Sequence, residues 1–400
     1  MAKAKLKNFS KSKLSLPLPY LLSVQEESWK RFWEKDLKEL FEEVSPIRDY
    51  SGNEFELYFL DYKLDKPKYK NSLEAKKNND TYEAGLRANV RLVNLKTKEV
   101  KEQEVFLTDF PLMTEREGFI INGVERVSIS QLIRSPGVLF TCNVWGGKKY
   151  FGAKIIPNRG AWLEFETEPS GFIGVRIDRR RKVPSTTLLK AFGQEEKEIL
   201  EAFKEVDKGP TKYLQETLKR DPTKTPAEAA IEIYKHLRPG DLTTPEIAQE
   251  LIRNMFSNFE RYDLSKVGRW RTRQRLSELG GPIAPDQITI QDRILKTEDL
   301  VAVIKEIIRL NNDPKAKPDQ IDHLGSRRVR AINELLVNRM RIGFARMARI
   351  IRDRMSTLDS FNITPAQLIN PRPLMAVIKE FFTSSQICQF MDNENPLAEL

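Results

Sequence analysis

Cysteine and histidine are nearly absent. There are two of each in 400 residues, Cys142 with Cys388 and His236 with His323. Their separation argues against a disulfide framework and against a zinc site of ordinary ligand spacing, and it points to a reducing compartment. Long apolar runs are missing as well, and none reaches the roughly 18 residues needed to cross a bilayer. The opening MAKAKLKNFSKSK followed by LSLPLPYLLSV has the basic-then-apolar order of a secretory signal. Pro17 and Pro19 interrupt it and no small-x-small cleavage site follows, so the expectation is a cytoplasmic protein with no membrane partner. Also lacking are a phosphate-cradling P-loop, a dinucleotide fingerprint, an H-E-x-x-H pair and any gathering of carboxylates suited to magnesium. Asp61, Asp65, Asp109, Asp178 and Asp322 stand singly and read as caps, turns or ion-pair partners. The residues therefore offer no catalytic centre and no metal ligands.

What the chain does have is positive charge. There are 67 Lys+Arg against 57 Asp+Glu, a net +10. Such an excess favours a polyanionic partner, nucleic acid first. The length predicts two or three domains.

Residues 24–44 predict an amphipathic helix, with Trp29, Trp33, Leu37, Leu40 and Val44 on one stripe and Glu26 and Glu27 four before Lys30 and Arg31. FELYFLDYKLD (55–65) alternates as a strand does. Residues 86–110 read as two strands around a polar turn at Lys96–Glu99, with a loop over KYKNSLEAKKNNDTYEAG before them. Asn122-Gly123 between apolar residues is the strongest hairpin signal in the chain. A β pattern persists from 144 to 183. Prolines then break 186–262 into short helices. Over 328–358 Leu336, Met340, Phe344, Met347, Ile351, Met355 and Leu358 form one stripe of a long helix. Nine arginines lie between 327 and 354, either a solvated face or phosphate contacts.

Three short arginine clusters stand out. RIDRRRKVP holds Arg176, Arg179, Arg180 and Arg181. GRWRTRQR places Arg269, Arg271, Arg273 and Arg275 around Trp270. HLGSRRVR places Arg327, Arg328 and Arg330 beside Gly325, where the long helix is expected to start. Guanidinium forks match phosphate oxygens and guanine edges, and a helix N-terminus adds donors. Trp162, Trp270 and Phe390 are candidates to stack on unpaired bases, against the ordinary alternative that each is core.

At FPLMTEREGFIINGVERVSISQLIRSPGV (110–138) the chain resembles the N-terminal part of the bacterial RNA polymerase beta subunit. The likeness recurs in order at PYLLSVQEESW, RGAWLEFE, VRIDRRRKVP, YDLSKVGRW, QIDHLGSRRVR and VIKEFFTSSQICQFMDNENPLAEL. It implies an α+β, multidomain fold: a protrusion arm from 1–133 returning at 322–364, a lobe arm over 134–321, and the start of the fork region over 365–400. On this reading the chain is the N-terminal piece of a longer subunit continuing past Leu400. The alternatives from composition alone are a free-standing nucleic-acid-binding protein and a scaffold whose basic surface serves solubility.

The resemblance also implies function. The assembled enzyme is a nucleotidyltransferase that transcribes DNA into RNA. Its magnesium is held by the beta-prime subunit, and this part alone is inactive and carries no cofactor. Implied partners are beta-prime, the alpha dimer, omega and a sigma factor, with promoter and downstream DNA and nascent RNA. Arg134, Ile321, Asp322 and Arg327 match a pocket for an unstacked non-template base, and Trp162 a residue that stacks on another. Gln386, Ile387, Gln389, Phe390, Met391 and Asp392, with Arg126 and Gln131, match the rifamycin pocket beside the RNA path. Cys388 and Glu394 depart from the family's usual serine and asparagine there.

Overall fold

The computed structural model describes residues 20–357 and 363–399. The signal-like opening and Leu358 of the long stripe lie outside the described residues. The chain is α+β, with helices and antiparallel sheets in two compact units, Met1–Leu132 with Val329–Leu400, and Ile133–Arg328.

The first unit is built on a four-stranded antiparallel sheet in the order Ile47–Arg48, Phe55–Leu64, Glu83–Asn94, Val100–Pro111. Alternation does what it should: Phe55, Leu57 and Phe59 point inward, as do Leu86, Ala88, Val90 and Leu92. The long helix Ile332–Thr357 supplies the other half of this core through Leu336, Met340, Phe344, Met347, Ile351 and Met355, each at most 2 % exposed. At about 1.5–3 kcal/mol per fully buried large apolar side chain, that stripe contributes substantially to the unit's stability. The predicted N-terminal helix is two α-helical stretches, Ser23–Arg31 and Leu37–Val44, joined by a π turn at Phe32–Asp36. The widened turn lets Phe32 enter the core and turns Asp36 inward. There its carboxylate accepts from Asn333 Nδ2 at 2.6 Å and meets Arg31 Nε at 3.2 Å. Trp29, Phe32, Trp33, Phe110 and Phe119 pack ring to ring with centroids 4.9–6.1 Å apart. These tryptophans are core anchors.

Two expectations need correction here. The lysine-rich stretch before the second long strand is not all loop, since Ser72–Lys77 is a helix closed on buried Ala75. The long helix starts at Ile332, so Arg327–Arg330 is a short strand and gains nothing from a helix N-terminus.

The second unit is a five-stranded antiparallel sheet in the order Lys182–Pro184, Ile173–Ile177, Leu163–Thr167, Lys148–Ile156, Gly137–Trp145. Short helices follow, two of them opening on Pro226 and Pro245 at the position where the missing N–H costs nothing. The helix Thr297–Asn312 buries Leu300, Val303, Ile304, Ile307 and Ile308 in the same core. Two buried charges of this unit are held in pairs. Lys190 Nζ lies 3.1 Å from Asp221, with the two side chains 2 % and 0 % exposed. Arg269 grips Asp299 at 2.5 and 3.0 Å. No described helix is long and apolar enough to cross a membrane.

Candidate nucleic-acid interface

The first predicted group lies in the second unit. Arg134 ends the strand Gln131–Arg134. Ile321 and Asp322 form a turn before the 3-10 segment Leu324–Ser326, and Arg327 follows. Three hydrogen bonds fix the segment that follows this turn. Ser135 N donates to Ser326 O at 2.9 Å, Gly325 N donates to His323 Nδ1 at 3.0 Å, and Arg271 donates to Gly325 O. Arg134 Nη2 thereby comes to 4.0 Å from Asp322 Oδ1. That is too long for a tight fork, and the Asp322 side chain stays 87 % exposed. An exposed carboxylate beside a guanidinium on a braced turn is an acceptor and donor pair held ready for a polar ligand. Ile321 and Arg327 are half-buried beside it.

Trp162 is not joined to Arg134 or Asp322 by any hydrogen bond or ring contact among the described residues. It enters the strand Leu163–Thr167, and its carbonyl accepts from Asp178 N at 2.8 Å. The guanidinium of Arg179 stands 5.7 Å from its ring centroid. Asp178 and Arg179 both take left-handed backbone, φ 50° and 62°, in a tight turn whose Arg180 N donates to Ile177 O at 2.9 Å. Such backbone costs a non-glycine residue about 1–2 kcal/mol. Without a glycine the turn gave no signal in the sequence. Arg179, Arg180 and Arg181 are exposed on it.

The cluster around Trp270 is a correction. On the helix Ser265–Arg275 alternate arginines point different ways, and all four are spent inside the unit. Arg269 holds Asp299 and the carbonyls of Ile294 and Asp292, and Arg271 holds Gly325. Arg273 donates to Gly281 O at 2.8 Å, and Arg275 bonds Glu306 at 3.1 Å above the Phe140 ring.

The second predicted group lies in the first unit. Asn122 and Gly123, φ 50° and 77°, turn Phe119–Ile121 into Val124–Ser128, as the sequence predicts. The strand Cys388–Phe390 adds to the far edge, pairing Phe390 with Arg126, Gln389 with Val127 and Cys388 with Ser128. Gln131, Gln386, Ile387 and Gln389 line one cavity of about 620 Å³, together with Ile129 and the Arg339–Glu380 pair. The other four residues lie outside it. Arg126 stacks on the Phe390 ring at 4.4 Å, Met391 is half-buried, and Asp392 is exposed and accepts from Glu394 N at 3.1 Å. Cys388 is 2 % exposed, and burial pushes its thiol up to about 11. The departure from serine is therefore a packing change, while Glu394 is exposed. Sequence reasoning missed Arg339 and Glu380, which reach the cavity from two helices.

Residues 134–330 match the family model described as RNA polymerase Rpb2, domain 2. The chain is 46 % identical over 385 residues to the DNA-directed RNA polymerase subunit beta of Gloeobacter violaceus, covering 96 % of this chain and 33 % of that protein. It is 43 % identical over 423 residues to the DNA-directed RNA polymerase subunit beta of Chloroflexus aggregans, covering 98 % and 34 %. The chain thus spans about a third of the length of the curated relatives it matches.

Proposed function

The chain belongs, over the third of their length that it spans, to the family of DNA-directed RNA polymerase beta subunits, and on that premise we propose that it is the part of such a subunit that holds nucleic acid during transcription. The observation that carries this is the exposed Asp322 carboxylate 4.0 Å from Arg134 on a turn braced at Ser326, Gly325 and Arg271. A carboxylate so held can accept from the ring N–H and exocyclic amine of an unstacked guanine, while Arg134 and Arg327 meet phosphate. Ile321 gives the base an apolar edge. Trp162 stacks a second unpaired base, with one face already occupied by Arg179.

The cavity of Gln131, Gln386, Ile387 and Gln389 is the wall beside nascent RNA and, in the same proposal, the rifamycin site. Its lining is amide-rich and carries one paired arginine, which suits hydrogen bonding to sugar and base edges without base selection. Among the described residues no three His, Cys, Asp or Glu side chains form a group able to hold a metal ion. By the family resemblance, the magnesium of nucleotidyl transfer is assigned to beta-prime, and to this chain the positioning of strands. Beta-prime, alpha, omega and sigma are the protein partners, in the cytoplasm.

A fluorescently labelled single strand titrated with the full chain tests the reading. Binding should weaken linearly on logarithmic axes as salt rises, by a slope of about 0.7 per neutralised phosphate. Binding indifferent to salt, or none, would remove the proposal.

A further inference from the structure

The strands Gly137–Trp145 and Lys148–Ile156 end in a hairpin that neither predicted group uses. Its turn is Gly146-Gly147, φ 56° and 77°, the left-handed pair that matches strand twist. Trp145 and Lys148 face each other directly across the turn, and Asn143 and Tyr150 form the next pair but one. Alternation puts all four on one face. Lys148 Nζ lies 5.7 Å from the Tyr150 ring, so that face presents an indole, a cation and a phenol in a row. The other face ends in Val144 and Lys149. Trp145 is 72 % exposed and Val144 67 %, a large apolar area to leave in water at a tip.

The charge of the chain leading into and out of the tip has one sign. From Arg126 to Leu163 the sequence has no acidic residue. Lys154 and Arg159 in that stretch are engaged, with Glu164 and with the Phe259 carbonyl. Lys148 and Lys149 have no ion-pair partner among the described residues. Protein-binding hot spots favour tryptophan but are depleted of lysine. An aromatic face flanked by unpaired cations is instead the arrangement that stacks bases while neutralising phosphates.

We infer that the Trp145 hairpin is a further binding site for an unpaired DNA strand, with a base stacked on the indole and Lys148, on the same face, on an adjoining phosphate. This goes beyond the proposed function and rests on it only in that the strand reaching the tip is the polymerase's own. The contact is independent of base identity, since every base offers a flat face.

The test is the affinity of the full chain for a fluorescein-labelled oligo-dT, measured across a salt series. W145A should weaken binding about ten-fold with an unchanged salt slope, and W145F should retain most of the affinity. K148E should flatten the slope by at least about 0.7, one phosphate's worth. Affinity of W145A within two-fold of the parent overturns the inference, as does an unchanged slope in the lysine variant. Loss with R327A but not with the hairpin variants overturns the inference and leaves the Asp322 reading standing. Loss with the hairpin variants but not with R327A supports the inference and removes Arg327 from that reading.

Discussion

Arg134 Nη2 and Asp322 Oδ1 stand 4.0 Å apart, close enough to feel each other and too far to satisfy each other. The carboxylate is mostly in water, so little stability rests on this pair. In a polymerase assembled with this subunit, Asp322→Ala should leave folding intact and relax a preference for guanine at one non-template position. A lost bidentate contact is worth about 1–3 kcal/mol of discrimination. Open-complex lifetimes on promoters differing only at that base would read it, and identical base dependence in parent and variant would count against the assignment.

Arg327 is assigned to phosphate, so its loss should act on every sequence alike. Arg327→Ala should lower the salt slope of strand binding by about 0.7 and weaken affinity uniformly. A slope equal to the parent's would take Arg327 out of the interface.

The two cysteines should differ sharply in reactivity. Cys388 is buried with its thiol pushed up to about 11, whereas Cys142 is half-buried. Thiolate is the reactive form, so a disulfide-exchange reagent at pH 8 should label one thiol in the native chain and the second only on unfolding. Rapid native labelling of both, by mass spectrometry, would contradict the packing of the strand Cys388–Phe390.

Lys190 and Asp221 form a fully buried pair with Thr186, Thr187 and Thr223 donating to the carboxylate. Asp221→Ala leaves the buried ammonium with only the Thr223 carbonyl and the more distant Glu196, 3.7 Å away, and should destabilise the second unit by about 3 kcal/mol. Adding Lys190→Met should recover part of that loss. Urea melts of the single and double variants measure it, and equal stabilities would mean the pair is solvated.

Acid should unfold the second unit through its carboxylates. Hydrogen bonds from Thr289 and Lys296 hold Asp292 down at about 2. Burial pushes Asp221 up, but the hydroxyls of Thr223, Thr186 and Thr187 outweigh it and leave it lowered. Groups depressed by folding lend their full stability above the ordinary carboxylate range near pH 4 and lose it as pH falls toward 2. Urea midpoints at pH 7, 4.5 and 2.5 should be similar for the first two and lower for the third. A midpoint flat to pH 2.5 would show that neither bond survives in solution.

Local patterns made much of this fold legible. Alternation located Phe55–Leu64 and the long pair after it, Asn122-Gly123 located the hairpin, and the Leu336-to-Met355 stripe located the long helix. What failed was non-local. The arginines of Ser265–Arg275 looked like a surface array because their partners Asp299, Glu306 and Asp319 lie about 30–44 residues away. Arg327–Arg330 looked like a helix start because a strand that short has no period of its own. The residues of the candidate sites were named through family likeness. What sequence could not reveal was which of them line the cavity, or that Trp145 stands bare at a glycine turn.

The first unit is discontinuous, and that has a consequence for synthesis. Its sheet is complete at Pro111, but the helix that covers the apolar face begins at Ile332. At about 5–20 residues per second, the ribosome takes roughly 10–45 s to bridge that gap. The second unit, contiguous over Ile133–Arg328 and with its ends joined at Ser135 and Ser326, emerges whole in the interval. Birth order is therefore the reverse of chain order. Released chains truncated just before Ile332 should show a protease-resistant second unit and an apolar sheet still open to a hydrophobic dye, which makes the waiting sheet the segment most in need of a chaperone.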